Sequence, residues 1–365
     1  MSAPEPRPGL LKIRAHMIDA TATQSAPAIN IASNESAFGA SPRAYRAAAT
    51  AVRQLQRYPE RASERLADAI AETHGLDAAR IACGHGSDDL LARLARAYLR
   101  AGDELVYSVN GYQKIPNYAH ANDAIPVAAA DRDFVADADA LLKAVSPRTR
   151  IVMLANPDNP TGTFMKADEV RRLHAGLPGD VLLVLDSAYA EYADSPDYER
   201  PDRLVEQFDN IVMTRTFSKI YGLAGARVGW LYATPELAGL VRRIGTTFPL
   251  GCSALAAALA ALKDETHLQH VLAETKRLKA SFHDRLAALG LEVYPSQTNF
   301  LLVRFPDPAR PAPAADAFLR TRGVQARRLA APSFANCIRF TIGLEDEMAA
   351  TAAALEDFML LDGAA

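Results

Sequence analysis

Cysteine is scarce in this 365-residue chain: Cys83, Cys252 and Cys337 are the only three. They are far apart and lack the paired spacing of a zinc site, so they read as small buried hydrophobes in a reducing compartment. No run of about 18 apolar residues occurs, which excludes a membrane-spanning helix. The N-terminal stretch MSAPEPRPGLLKIRAHMID has no apolar core of signal-peptide length, so export is not expected. Basic residues are dispersed: Lys and Arg number 40 against 43 Asp and Glu, a net charge of −3. No dense Lys/Arg block is offered to nucleic acid or to an anionic membrane. There is no internal repeat and no low-complexity linker beyond the Pro/Ala patch FPDPARPAPAADAF. These absences leave a soluble cytoplasmic protein.

What is present is ordinary globular composition, 49% apolar and 23% charged, in a chain long enough for one large domain and a smaller companion. The first thirty residues are Pro- and Ala-rich and weakly periodic, an arm expected to wrap another part of the structure. Short apolar runs then alternate with helical patterns: ARIACGH, DELVYSV, DAIPVAAA, RIVMLANP, DVLLVLDSAY, NIVMTRTF and ARVGWLYA. VLLVLD and IVMLA are apolar throughout, as expected of strands covered on both faces. The alternation predicts an α/β fold with a mostly parallel central sheet flanked by helices. After about residue 245 a long helical region gives way to short strands and a final helix, which predicts a small α+β C-terminal domain. The expected division is an arm over 1–30, a large domain over 31–245 and a small domain over 246–365.

A mostly parallel sheet binds ligands outside the carboxyl ends of its strands. Four such ends are unusual. CGHGSDD sets Gly84, Gly86, Ser87 and Asp88 at the start of a helix, where free N–H groups and the helix dipole suit a phosphate. LANPDNPTG ends its strand with Asn156, Asn159, two prolines and Gly162. VLLVLDSAYAEY ends five apolar residues on Asp186, a carboxylate that is costly to bury unpaired. TRTFSKIYGLAGARVGW holds Lys219, whose pKa desolvation and nearby Arg227 would lower, making it a nucleophilic amine. Each has a plainer reading alone: an N-capped turn, a Pro-rich turn, a capping carboxylate, a surface lysine. A phosphate cradle, an asparagine, a buried carboxylate and an activated lysine in that order are together what pyridoxal 5′-phosphate needs.

The motifs IASNESAFGASP, LQRYPE, GHGSDDLL, NPDNPTG, DSAYAEY, RTFSKIYGLAGARVG, TNFLLVR and CIRFTIG together resemble the fold-type I pyridoxal-phosphate-dependent transferases. Within them the chain resembles the histidinol-phosphate aminotransferases. The resemblance implies a Schiff base to Lys219, which then shuttles a proton at the substrate carbon. Asp186 would pair with the pyridinium nitrogen, Tyr189 and Asn159 with the ring oxygen, and Tyr112 would stack on the ring. Gly86, Ser87, Asp88, Thr216, Ser218 and Arg227 would hold the phosphate. Tyr58, in RYP, would reach the phosphate of a neighbouring subunit, which makes the enzyme a homodimer with a shared active site. Arg339 would bind an acidic group of the substrate, with Arg327 or Arg328 as a second cation and Asn34 lining the substrate pocket. The partners implied are an amino acid or amino-alcohol phosphate and a 2-oxo acid.

The chain also departs from those relatives. Its arm has no tyrosine, Ile115 stands where a second tyrosine is usual, and Leu250-Gly251-Cys252 replace an Asn-containing turn. Loss of hydroxyls that hold a phosphate costs about 1–3 kcal/mol each. An aminotransferase for aromatic or other amino acids, or an enzyme similar to threonine-phosphate decarboxylases, therefore stands as the alternative.

Overall fold

In the computed structural model residues 5–13 and 28–361 are described. The continuous apolar runs become strands of one central sheet: Ile81–Gly84 (β1), Glu104–Ser108 (β2), Ile125–Ala129 (β3), Thr149–Ala155 (β4), Leu182–Asp186 (β5), Ile211–Thr216 (β6) and Gly229–Tyr232 (β7). Their spatial order is β1-β7-β6-β5-β4-β2-β3. Every residue of β5, β6 and β7 is buried, because helices cover both faces. All pairings are parallel except those of β7, which runs antiparallel to β1 and β6. The connection over residues 217–228 contains only the 3-10 turn Ala224–Ala226. It has no helix to carry the chain back across the sheet, so the strand returns antiparallel.

That reversal brings the first residue of β7 to the edge where the other strands end. Gly229 lies opposite both Gly84 and Thr216. Asp186 ends β5 beside Ala155 of β4 and Thr214 of β6. Five neighbouring strands thus present the sequence motifs along one rim.

A second, antiparallel sheet contains Glu292–Val293 (β8), Phe300–Arg304 (β9), Arg327–Arg328 (β10) and Cys337–Thr341 (β11), in the order β8-β9-β11-β10. Helices Glu265–Ala288, Ala312–Thr321 and Glu345–Leu360 bury Phe282, Leu319 and Leu355 with Leu301, Val303 and Phe340 in its core. The boundary expected after residue 245 crosses this packing. Leu255, Ala258 and Leu262 belong to the core under the large sheet, as does Val271, while Leu278, Phe282 and Leu286 on the same long helix belong to the small one. Ile31 also lies in the small core, and Ile29–Asn30 pair with Val324–Gln325. In the described part of the arm, Pro8–Lys12 form a 3-10 turn. The Gly9 N–H donates to Asp123 Oδ1 at 2.8 Å, and Arg7 pairs with Asp123 at 3.5 Å. Residues 1–4 and 14–27 of the expected arm lie outside the described residues.

From Ile31 the chain crosses to the large domain and runs beneath the turn that follows Lys219. Gly222 adopts φ +65°, and a Cβ there would lie 2.1 Å from the Gly39 carbonyl oxygen. Gly290 has φ +77° with open space around it. Gly290→Ala is therefore expected to cost about 1 kcal/mol from backbone conformation alone, and Gly222→Ala about 2–4 kcal/mol because backbone must also move. Denaturant unfolding of both variants separates the two contributions.

Candidate active site

The anion cradle begins where β1 turns into helix Ser87–Tyr98. The helix has no side-chain cap, so its first N–H groups face outward unpaired. Gly86 sits at φ +85°, and a Cβ there would lie 2.4 Å from Arg227 Nη2. A Cβ on Gly229 would lie 2.3 Å from the Ser87 nitrogen. Absence of side chains at these two positions lets the helix end, the start of β7 and the Arg227 guanidinium meet. Arg227, itself left-handed at φ +53°, donates from Nη1 to Ser218 Oγ at 3.2 Å and to the Ala224 carbonyl at 3.1 Å. Thr216 Oγ1 lies 3.0 Å from Ser218 Oγ and accepts from the Ser218 N–H at 3.1 Å. Asp88 turns its carboxylate away, to Lys114 and Tyr118. What Asp88 offers an anion is backbone, while its carboxylate pairs with Lys114.

On the neighbouring strands lie the acid and the amine. The buried Asp186 carboxylate accepts from Thr214 Oγ1 at 2.9 Å. Burial pushes its pKa up to about 6, partly opposed by the Thr214 bond. Lys219 Nζ donates to the Ser33 carbonyl at 3.3 Å and lies 5.7 Å from the centroid of the Tyr189 ring. Desolvation, then the positive charge of Arg339, lowers its pKa to about 8. The Tyr189 hydroxyl accepts from Asn34 Nδ2 at 2.9 Å, and burial raises its pKa to about 12. Tyr112 is half-buried; its hydroxyl is shifted upward by burial, then by the charges of Asp88 and Asp186.

The small domain supplies Arg339, buried in β11. One of its terminal nitrogens donates to Asn159 Oδ1, the other to the Ala32 carbonyl at 2.7 Å. Its guanidinium lies 5.2 Å from the Phe300 ring centroid, and its Nε has no hydrogen-bond partner. Asn159 therefore meets Arg339 through its oxygen. Arg327 lies directly opposite Arg339 in the β10–β11 pairing, whereas Arg328 lies opposite Ile338. Opposed residues share a face, so Arg327 is on the side of Arg339, while Arg328 donates to the Ala335 carbonyl at 2.9 Å. Tyr58 stands apart. It is 84% exposed and stacks on Phe248 with ring centroids 4.6 Å apart.

The residues expected from sequence therefore gather around one rim, except Tyr58, which faces outward. Sequence inspection missed Thr214, which orients Asp186, and the Ser33 carbonyl, Thr341 and Phe300. Thr214 alone had a visible signal: it lies two residues before Thr216 on one strand, hence on the same face. Ile115 is 1% exposed and Leu250 is 2% exposed, both packed into core. The positions where hydroxyl or amide side chains are missing are thus filled by packing residues.

A lysine amine, a buried acid and an uncapped helix end thus meet along one rim of this sheet. Residues 26–355 match the family model Aminotransferase class I and II, and the chain belongs to that family. It is 46% identical to the histidinol-phosphate aminotransferase of Rhodospirillum centenum (strain ATCC 51521 / SW), over 98% of this chain and 99% of the relative. It is 44% identical to that of Paramagnetospirillum magneticum (strain ATCC 700264 / AMB-1), again over 98% and 99%. Among solved structures, the histidinol-phosphate aminotransferase from Sinorhizobium meliloti in complex with pyridoxal-5′-phosphate superposes with a TM-score of 0.87 at 34% identity, covering 91% of each chain.

The Arg339 charge holds protons off Lys219, which can be measured without cofactor. In Arg339→Gln the Lys219 pKa should rise from about 8 toward its ordinary 10.5. At pH 8 the amine would pass from about half neutral to mostly protonated, and acylation would slow several-fold. Arg339→Lys should keep the low value. Peptide mass spectrometry across a pH series reads both.

Proposed function

We propose that this chain is a pyridoxal-phosphate-dependent histidinol-phosphate aminotransferase, moving an amino group between that amino-alcohol phosphate and 2-oxoglutarate in two half-reactions. The observation that carries the reading is the half-buried Lys219 amine beside Tyr189, on a rim that also holds the Asp186 acid and the Gly86–Arg227 cradle. The name of relatives 46% and 44% identical along nearly their whole length supports the substrate.

The residues fit pyridoxal 5′-phosphate. The Gly86 cradle would be closed by any side chain, and a dianionic phosphate matches its donors: uncapped helix N–H groups, the Thr216 and Ser218 hydroxyls and Arg227. When bound, the cofactor supplies an aldehyde that condenses with amines and a ring that withdraws electrons from the substrate carbon. Asp186, still largely ionised at neutral pH, would hold a proton on the ring nitrogen, and Thr214 aims its carboxylate. Lys219, with its pKa near 8, takes a proton from the amine-bearing carbon at Nζ and returns it. Tyr189 and Asn159 would hold the ring oxygen, and Tyr112 would pack on the ring face. Arg339, with Arg327 beside it, receives the acidic group of the substrate: phosphate in one half-reaction, the glutamate α-carboxylate in the other. A shared anion site suits two substrates that use the pocket alternately.

The same reading makes the enzyme a cytoplasmic homodimer. Tyr45, Val52, Leu55 and Tyr58 expose apolar surface along one face, and a second copy would cover it while receiving Tyr58 at its own phosphate site. The three cysteines are free, which agrees with a reducing compartment. Among the described residues no helix is long and apolar enough to cross a membrane.

Lys219→Ala is expected to lower turnover by roughly 10³-fold or more and to remove the visible absorbance of the loaded enzyme. Histidinol phosphate and glutamate should each bleach that absorbance in the parent enzyme. Bleaching by phenylalanine with none by histidinol phosphate would reassign the substrate to an aromatic amino acid, and carbon dioxide release would reassign the reaction to decarboxylation. The shared site has its own test. Lys219→Ala and Tyr58→Ala, each impaired alone, should regain activity when mixed and reassembled, because one hybrid site carries neither change.

A further inference from the structure

Asn34 is only 1% exposed and adopts φ +55°, a left-handed conformation that asparagine tolerates better than most side chains. Thr341 Oγ1 accepts from the Asn34 N–H at 2.9 Å and lies 3.0 Å from Asn34 Oδ1. Asn299 Nδ2 donates to the Asn34 carbonyl at 3.3 Å. The free end of the side chain, Nδ2, meets Tyr189 Oη at 2.9 Å.

Proton counting sets the directions. The Thr341 hydroxyl accepts from the Asn34 N–H and donates its own proton to the amide oxygen, Oδ1. The amide nitrogen is thereby turned to Tyr189, and an amide nitrogen only donates. Tyr189 must then accept from Asn34 and send its own proton elsewhere. Its charged and titratable neighbours include the Lys219 amine over its ring, Arg339 from β11, Asp186 from β5, Asp158 from the loop after β4, Tyr112 and Tyr192, while Glu35 and Arg227 act on Lys219.

We propose that Asn34 is a positioning residue that fixes the Tyr189 hydroxyl as a proton donor toward the ring oxygen of the cofactor, with Thr341 locking the Asn34 amide in turn. This rests on the cofactor reading above, and it moves Asn34 from the substrate-pocket lining to a place behind Tyr189. A donor at the ring oxygen draws off negative charge that would otherwise hold the proton of the adjoining lysine nitrogen. Loss of the donor therefore raises the pH at which that proton leaves.

The test is a visible absorbance titration of the full-length, cofactor-loaded enzyme against pH, without substrate. Tyr189→Phe should raise the midpoint by about one pH unit. Asn34→Ala should move it the same way, and Asn34→Asp furthest, because a carboxylate captures the tyrosine proton. Asn34→Ala in a Tyr189→Phe background should add nothing. Thr341→Val should shift the midpoint upward and Thr341→Ser restore it, which keeps the test open where an Asn34 variant fails to fold. A purely structural Asn34 would lower the melting temperature and leave the midpoint in place. That result, or additivity with Tyr189→Phe, overturns the proposal alone. Parent enzyme with no pH-dependent visible band overturns the cofactor reading and this inference together.

Discussion

The structure depends on keeping a carboxylic acid and an amine out of water in one pocket without fixing either in one protonation state. Desolvation moves them toward each other, Asp186 up to about 6 and Lys219 down to about 8. Those values straddle neutrality, so modest changes in nearby charge alter how firmly each holds its proton. Both remain hydrogen-bonded, Asp186 to Thr214 and Lys219 to the Ser33 carbonyl. Burial thus costs less than it would for unpartnered ions.

Sheet topology meets that demand. Adjacent parallel strands β5 and β6 bring Asp186 and the approach to Lys219 to one rim, and antiparallel β7 adds Gly229 and, just before it, Arg227. Strand periodicity also keeps unrelated charge away. Arg215 lies between Thr214 and Thr216 and so points to the opposite face. There it pairs with Glu191 at 2.5 Å and stacks over Trp230. The strand that frames the site carries an arginine whose field is cancelled behind it.

Local chemistry was legible in the chain, and partner choice was not. Apolar runs at β4 and β5 announced strands covered on both faces, and Gly86, Asp186, Lys219 and Arg227 stood out because their types are unusual at strand ends. The contact between Asn34 and Tyr189 joins an N-terminal segment to a loop 155 residues away, and no local periodicity encodes such a pair. Asn159 illustrates the same limit: its loop was visible, but its oxygen is taken by Arg339 from the other domain. The domain boundary blurred for a related reason. Helix Glu265–Ala288 is one continuous pattern in sequence, yet its first half packs on the large core and its second half on the small one.

Arg339 shows how the two domains act on each other through charge. Its guanidinium bonds a neutral amide and a carbonyl and lies over an aromatic ring, and burial lowers its pKa to about 10. A buried cation without a carboxylate partner is electrostatically unsatisfied. An anion that pairs with it relieves that cost, so a substrate bearing phosphate or carboxylate gains affinity beyond the hydrogen bonds it forms. After desolvation, the same cation is the largest influence lowering the Lys219 pKa. An anion that neutralised Arg339 would therefore make Lys219 a stronger proton acceptor. If Arg339 receives an acidic group as proposed, recognition in the small domain would raise basicity in the large one through charge alone.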